Sequence, residues 1–196
     1  PEPSLSVPPT QHKPEPVAII GMDGMFPGAA DLTEFWSNLQ QGVDPIREIP
    51  ASRFAWEQHY GSSLGQAKAS TTNSKWGGFM PDIEHFDHQF FELSADEALY
   101  MDPQQRLFLQ TVWKTIESAG YNAAALKSQA VGVFVGVEFS DYKDYLAQHA
   151  PRYNAEMVIG NALTMIPNRV PYYFDFTGPS EAVDTACSSS LVALHR

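Results

Sequence analysis

The sequence predicts an α/β fold with a largely parallel sheet, and three observations lead to this prediction. Two short continuous apolar runs, VAIIG (residues 17–21) and VGVFVGV (131–137), are typical of strands buried on both faces. SEAVDTA (180–186) is predicted as a third strand. Helical patterns alternate with these strands in the order β-α-β-α-β-α, which favours a parallel sheet.

Two helices have clear boundaries in the sequence. DLTEFWSNLQQG (31–42) starts with a pair that resembles a capping box, Asp31 and Glu34, and stops at Gly42. MDPQQRLFLQTVWKTIESAGY (101–121) has Asp102 as its cap and proline at the first helical position, where it is well tolerated. Its apolar residues recur at helical spacing up to a glycine at position 120, so the sequence predicts a long amphipathic helix.

The remaining segments are less regular. Residues 1–16, PEPSLSVPPTQHKPEP, are proline-rich without hydrophobic periodicity, and they are predicted to be an extended interdomain linker. Residues 43 to about 95 are aromatic-rich, and they are predicted to be an irregular insertion folded over the sheet. NALTMIPNRVPYYFDF (161–176) predicts a short helix interrupted by prolines, and SSSLVALHR (188–196) predicts the start of a helix.

Composition narrows the possible functions. The 196-residue chain is 43% hydrophobic, which suits one globular domain. Its net charge of −11 and its scattered Lys and Arg argue against a nucleic-acid partner. No apolar run is long enough to span a membrane. A single cysteine excludes an internal disulfide and fits a reducing compartment, so we expect a cytoplasmic location.

The chemistry is predicted to lie in DTACSSSLVALHR (184–196), where Cys187 occupies a strand-to-helix turn. The unpaired N–H groups and the dipole of a helix N-terminus favour a thiolate over a thiol. The same N–H groups can face the oxyanion that forms when the thiolate attacks a thioester. The three serines leave room for a substrate, and Leu191, Val192 and Leu194 are expected to anchor the helix in the core.

Cys187 and the polar residues near it also have structural interpretations. The alternative for Cys187 is an inert cysteine in the core. Asp184 is expected to fix the turn by hydrogen bonding to nearby backbone, although an acid–base role is an alternative. His195 is too far along the helix from the thiol to act as its base. His85 and His88 form H-x-x-H, which permits a metal site, but a structural role is favoured. The remaining histidines, His12, His59 and His149, are expected at the surface.

DTACSSSLVALH resembles the active-site signature of β-ketoacyl synthases, the condensing enzymes of polyketide and fatty-acid synthesis. EPVAIIGMDGMFPGAADLTEFWSNLQQG resembles the family's opening, and SKWGGF with FDHQFFELSADEALYMDPQQRLFLQTVWKTIESAGY resembles its middle. VGVFVGV and NRVPYYFDFTGPSEAVDTACSSS complete collinear motifs over roughly residues 15–196. The insertion resembles that of modular type I polyketide synthases. Asp23 and Met25 depart from the family pattern, in a loop far in sequence from the nucleophile.

The resemblance implies a thiolase-like fold, layered αβαβα, of which residues 17–196 are the N-terminal half. Cys187 matches the family's nucleophile. It would accept an acyl chain from an acyl carrier protein and pass it to a carbanion made by decarboxylating a malonyl-type extender. The substrates would ride on carrier phosphopantetheine, with no cofactor or metal bound by the domain itself. A homodimer is implied, joined at the strand before the nucleophile, with Tyr172, Tyr173, Phe174 and Phe176 near the interface and acyl channel or in the core.

Two alternatives stay open. One is a non-elongating relative that only transfers acyl chains between carriers. The other is a catalytically incomplete fragment with a structural or interaction role, since half of such a fold would expose a large apolar face. The family places two assisting histidines in the second half of the fold, so we expect a chain that stops just after the nucleophile turn to be inactive alone.

Overall fold

A computed structural model describes residues 16–61, 71–150, 152 and 154–196. The predicted linker, apart from residue 16, lies outside the described residues, as does His12. The helices are α1 (Leu32–Gln41), α2 (Ala95–Tyr100), α3 (Pro103–Ser118), α4 (Tyr142–His149), α5 (Ala155–Gly160), α6 (Met165–Phe174) and α7 (Ser189–His195). The strands are β1 (Ile46–Glu48), β2 (Trp76–Gly78), β3 (Val133–Gly136) and β4 (Ser180–Val183), and 3₁₀ turns occupy Trp56–Gln58 and Ala123–Leu126.

The central sheet consists of β3 and β4, which pair in parallel with Val133 opposite Ser180 and Gly136 opposite Val183. The crossover between them contains α4, α5 and α6, as a parallel connection requires. α6 packs against both strands and against α3, and α7 packs on the sheet after the second strand. The main core lies between these elements and contains Phe91, Leu109, Val133, Val135, Val137, Ile166, Val170, Phe174 and Phe176. The predicted α/β class with parallel pairing is confirmed.

The predicted first strand at residues 17–21 is wrong. The segment has no strand assignment, and Val17 and Ile19 are 93% and 78% exposed. A Cβ added to Gly21 would lie 2.7 Å from the Cβ of Ala119, so the segment approaches the C-terminal end of α3. Within the described residues β3 and β4 pair only with each other. An apolar pattern indicates burial, but the hydrogen bonds that define a strand must come from a partner.

The predicted boundaries of α1 and α3 are confirmed. Asp31 caps α1 by accepting a hydrogen bond from the Glu34 N–H at 2.8 Å, and Gly42 ends it at φ 64°. Asp102 caps α3 by accepting from the Gln104 N–H at 2.8 Å. Each cap satisfies an N–H group that lacks an intrahelical partner.

The predicted interruption of the helix near residues 161–176 is wrong, because α6 runs unbroken through both prolines. Pro167 is the third residue of the helix, where the N–H group has no intrahelical acceptor and its loss costs no bond. Pro171 removes one interior bond. Burial of Ile166, Val170 and Phe174 on the same helix offsets that cost.

The described residues of the predicted insertion, 43–61 and 71–94, are irregular as expected, apart from one 3₁₀ turn and one small sheet. β1 and β2 pair antiparallel, with Ile46 opposite Gly78. The Lys75 ammonium lies 4.8 Å from the ring centre of Trp56 and 5.2 Å from that of Trp76, and it pairs with the Glu48 carboxylate. These contacts hold the two strands together where little apolar area is buried.

Membrane insertion of a helix is not supported by the described part of the chain. None of its helices combines the length and the apolar character that crossing a bilayer demands.

Replacing Gly160 with alanine is expected to destabilise the fold. A Cβ there would lie 2.8 Å from the carbonyl carbon of Tyr100 and closer still to its oxygen. Relieving this backbone overlap must move α5 away from α2, so urea denaturation should show a loss of about 1–3 kcal/mol in the free energy of unfolding. Gly61→Ala is the control, because its nearest neighbours lie at 3.8 Å. Equal midpoints for the two variants would contradict this account of the α2–α5 contact.

Candidate active site

Cys187 lies on a sharp turn between β4 and α7, and its side chain is exposed. The strand ends at Val183, three residues earlier than predicted, and the turn takes the intervening residues. Ala186 adopts a left-handed conformation at φ 53°, which costs a non-glycine residue about 1 kcal/mol. The predicted strand–Cys–helix arrangement is confirmed, and the exposure of Cys187 excludes a core position for it.

Side chains of the turn hold its strained backbone in place. Asp184 Oδ1 accepts from the Ala186 N–H at 3.1 Å, which is the structural role predicted for this carboxylate. Ser189 Oγ accepts from the Thr185 N–H at 2.9 Å and donates to the Ala186 carbonyl at 2.7 Å. The backbone on both sides of Ala186 is therefore fixed by two side chains, so the position of Cys187 is set before any substrate binds.

Close packing of α7 on the end of β3 places the turn. A Cβ on Gly136 would lie 2.6 Å from the Ser190 nitrogen, so only glycine permits this approach. Ser189 and Ala193 are the buried residues of α7. Ser189 and Ser190 line the cleft beside Cys187, as expected of small residues that leave room for a substrate. The buried Ser189 also lets the helix lie close against the sheet.

The predicted core anchoring of α7 by large apolar residues is wrong. Leu191 and Leu194 are 72% and 80% exposed, and Val192 is only partly buried. With small residues turned toward the sheet, the helical period turns the leucines outward. Val17, Ile19, Ile20 and Met22 are exposed as well, and exposed apolar residues of this number are expected for half of a larger fold.

The turn opens into a cleft of about 1150 Å³. Its walls come from the start of α3, the end of β3, the loop that follows, α4, and part of the insertion. The apolar and aromatic side chains on these walls are Ile83, Leu99, Val137, Phe139, Tyr142 and Tyr145. The charged ones are Arg53, Glu84, Asp102, Arg106, Glu138 and Asp141.

A network of polar groups fixes the wall at the start of α3. The buried Asp102 carboxylate accepts from the Gln104 N–H and, at 2.8 Å, from the Ser140 hydroxyl of the loop after β3. The Ser140 hydroxyl also lies 3.3 Å from the carbonyl of Asn161. Asn161 in turn donates through its amide to the Tyr100 carbonyl at 3.0 Å. These bonds tie three segments of the cleft wall to one another.

Arg106 was not predicted as a site residue, yet it lines the cleft although it is 91% buried. Its guanidinium carbon lies 5.9 Å from the ring centre of Tyr142. Burial lowers the pKa of the Arg106 guanidinium, against the opposing charges of Tyr142, Asp102 and Glu84. Burial also raises the pKa of the Tyr142 hydroxyl. The spacing in the sequence could have indicated this residue, because Arg106 follows the cap Asp102 by four positions and therefore lies on the same helix face.

The histidines lie away from the thiol. His195 is exposed at the end of α7 and does not line the cleft. His85 lies 3.4 Å from the Asp82 carboxylate, and His88 Nδ1 lies 2.8 Å from the Leu93 carbonyl. No group of three or more potential metal ligands occurs in the described ranges of the chain. His149 stacks on an exposed tyrosine ring of α4.

The predicted aromatic cluster divides between core and surface. Phe174 and Phe176 are buried in the main core with ring centres 5.3 Å apart. Tyr173 donates its hydroxyl to the Phe90 carbonyl at 3.1 Å. Tyr172 is exposed and borders a separate pocket of about 240 Å³. The core alternative holds for the two phenylalanines, and none of the four lines the cleft at Cys187.

Replacing Ser189 with alanine is expected to loosen the nucleophile turn. The change removes both side-chain bonds to the backbone around Ala186, one as acceptor and one as donor. Leaving these groups unpaired should lower the free energy of unfolding by about 1–3 kcal/mol, measured by urea denaturation. Ser190→Ala is the matched control, because within the described chain the Ser190 hydroxyl makes no hydrogen bond. A Ser189→Ala variant as stable as the Ser190→Ala control would show that the turn does not depend on the Ser189 hydrogen bonds.

Comparison with known proteins agrees with this geometry. The family described as "Beta-ketoacyl synthase, N-terminal domain" matches residues 14–196. Polyketide synthase PksN of Bacillus subtilis is 45% identical over 188 residues, which cover 94% of this chain and 3% of that protein. PksL of the same organism is 46% identical over 192 residues, covering 94% of this chain and 4% of that protein. The chain thus spans only a small fraction of the curated relatives it matches.

Solved structures show the same relationship. The oxazolomycin ketosynthase domain OzmH KS7 of Streptomyces albus is 40% identical with a TM-score of 0.79, covering 90% of this chain and 30% of that one. A ketosynthase from module 6 of the bacillaene synthase of Bacillus subtilis is 38% identical with a TM-score of 0.75, covering 91% and 28%. The fold is therefore the N-terminal part of a thiolase-like α/β fold, and the chain belongs to the β-ketoacyl synthase family, among the ketosynthases of polyketide synthases.

Proposed function

We propose that Cys187 accepts an acyl chain as a thioester, in a ketosynthase that extends the chain by decarboxylative condensation. The observation that carries the proposal is an exposed thiol on a strained, internally braced turn that opens into a cleft of about 1150 Å³. Nucleophiles held on such turns are presented to substrate with little reorganisation.

The start of α7 lies beside Cys187, where an oxyanion would form. Ser188 is the N-cap residue, but it makes no capping hydrogen bond to the helix. Its hydroxyl donates instead to the Thr185 carbonyl at 2.8 Å. The first N–H groups of α7 therefore have no side-chain acceptor, although the Ser189 N–H bonds to the Ala186 carbonyl at 3.0 Å. Unpaired N–H groups at a helix start carry partial positive charge. The same groups are suited to the oxyanion of a tetrahedral intermediate.

The proposed reaction has two halves. In the first, the Cys187 thiolate attacks the carbonyl of an acyl thioester on a carrier protein. A new C–S bond forms, the old C–S bond breaks, and the carrier thiolate leaves and takes up a proton. In the second, a malonyl-type thioester loses its carboxylate as CO₂, and the electron pair left on carbon attacks the acyl carbonyl. A C–C bond forms as the Cys187 C–S bond breaks, which regenerates the thiolate.

The cleft is large enough for an acyl chain attached to the phosphopantetheine of a carrier protein. Its volume exceeds that of most small-molecule sites, and its walls combine aliphatic and aromatic surface with several polar groups. We propose acyl carrier proteins bearing phosphopantetheine as partners and no cofactor bound by the chain itself. The condensation step would also need groups that promote decarboxylation, which we place in the C-terminal half of a complete ketosynthase.

The proposal includes an organisation. We assign residues 1–16 as an interdomain linker and residues 17–196 as the N-terminal part of a ketosynthase domain in a cytoplasmic synthase. Within the described ranges β4 pairs on one edge only, with β3. An open strand edge beside the nucleophile turn favours pairing with another chain, which supports a homodimer joined there.

Acylation can be tested by intact-protein mass spectrometry. A complete ketosynthase domain containing this chain, incubated with a simple acyl thioester, should gain one acyl mass. The adduct should disappear in Cys187→Ala, because no other thiol is present in this part of the chain. His195→Ala is the control and should retain the adduct, since this histidine does not line the cleft. Full adduct formation in the Cys187 variant would overturn the proposal.

Condensation can be tested separately. The 196-residue chain alone is expected to form no β-ketoacyl product from acyl and malonyl carrier thioesters, whereas the complete domain should form it. The physical reason is that no histidine among the described residues lines the cleft at the thiol, and decarboxylation needs groups that stabilise the developing carbanion. Product from the short chain would contradict this. A complete domain that is acylated without condensing would identify a non-elongating acyl-transferring ketosynthase instead.

A further inference from the structure

The described chain contains two buried arginines that differ in their partners. Arg169 is 94% buried, and its Nη1 lies 2.5 Å from a Glu97 carboxylate oxygen. Arg106 is similarly buried but has no carboxylate within ion-pair distance in the described structure. A buried charge without a hydrogen-bonded partner is costly, and native structures rarely tolerate it without a functional reason.

The guanidinium of Arg106 keeps most of its donors unused. Nη1 lies 3.5 Å from the Glu84 carbonyl, which is a weak hydrogen bond. Nε is buried without a partner, and Nη2 makes no hydrogen bond to any described residue. The guanidinium carbon lies 5.9 Å from the centre of the Tyr142 ring, which is a cation–π contact and satisfies no N–H donor with a hydrogen bond. Because Arg106 lines the same cleft as Cys187, a group entering that cleft can accept from it.

The charge of the cleft indicates what kind of acceptor fits. Four carboxylates line it, from Glu84, Asp102, Glu138 and Asp141, against two guanidinium groups, from Arg53 and Arg106. A further carboxylate would enter a cleft with an excess of negative charge, so an anionic substituent is disfavoured. A neutral oxygen, in a hydroxyl or a ketone, accepts a charge-assisted hydrogen bond without that repulsion.

We propose that Arg106 is a specificity-determining residue that donates a hydrogen bond to a neutral oxygen substituent of the acyl chain held on Cys187. The assignment rests on the proposed acylation of Cys187, and it adds the class of chain preferred: one that carries a hydroxyl or keto oxygen beyond the thioester. A saturated chain leaves the guanidinium unsatisfied, which selects against it. The amide carbonyls of phosphopantetheine are neutral acceptors too, but every carrier-bound chain has them, so they produce no preference between chains.

The test compares acylation rates of Cys187 in a complete ketosynthase domain. Two thioesters of equal chain length are used on the same pantetheine-like carrier, one saturated and one with a hydroxyl or keto group. The second-order rate constant of acylation, kcat/KM, is measured by mass spectrometry for each thioester. The unaltered domain should prefer the oxygenated chain by about tenfold, within the range for a hydrogen bond to a charged group. In Arg106→Met the preference ratio should fall to about one.

Two further variants keep the result interpretable. Arg106→Lys retains a charged donor and should keep part of the preference, and it carries the measurement if the methionine variant does not fold. Arg152→Met is the matched control, because Arg152 is an exposed arginine that pairs with Asp96 outside the cleft. Its preference ratio should equal that of the unaltered domain.

The outcomes separate the two proposals. Equal acylation rates for both chains would overturn the role of Arg106 but leave the acylation of Cys187 standing. A preference that survives in Arg106→Met would do the same, and it would assign the arginine donors to the common pantetheine arm or to another part of the domain. Absence of any adduct on Cys187 with either thioester overturns the proposed function and this inference with it.

Discussion

The close contact between Gly136 and the first turn of α7 is the constraint on which the site depends. A side chain at that position would overlap the Ser190 backbone, so the absence of a Cβ lets the helix start directly above the end of β3. The parallel pairing of β3 with β4 then brings the chain back to the same end of the sheet. The short turn that joins β4 to α7 has little space, and the left-handed Ala186 is the result. Cys187 is exposed because the turn that contains it cannot fold inward.

The cleft beside Cys187 depends on polar interactions more than on apolar packing. The carboxylate of Asp102 caps α3 and also accepts from Ser140, so one side chain orients both a helix start and the loop after β3. Asn161 connects that loop to the end of α2 through the Tyr100 carbonyl. Buried hydrogen-bond networks of this kind are directional, and they specify one arrangement where an apolar contact would permit several. The wall of the cleft is therefore set to a defined shape before a substrate enters it.

Sequence patterns predicted the elements whose determinants are local. The caps Asp31 and Asp102, the amphipathic period of α3 and the role of Asp184 all depend on residues within a few positions of each other, and all are confirmed. The failures depend on distant partners. Residues 17–21 have the composition of a strand but pair with no strand among the described residues. The leucines of α7 have the period of a core helix but face outward. Pro167 and Pro171 mislead for a different reason, since the cost of a proline depends on its exact place in the helix and on the burial around it.

The sequence places Arg106 on the same helix face as Asp102, but it does not show what makes the residue unusual. In the sequence, Arg106 is one polar residue of a helix that is predicted from its apolar period. Only the structure shows that the arginine has no carboxylate partner among the described residues. Several described residues break ordinary rules, and two of them border the cleft of Cys187: a left-handed alanine and a buried arginine without an ion pair. Natural sequences concentrate such violations at functional sites, where the rest of the fold supplies the stability to maintain them. The strained backbone at Ala186 helps to position the thiol of Cys187. The unsatisfied donors of Arg106 act instead on the molecule that occupies the cleft, so one feature orients the nucleophile and the other selects the acyl chain.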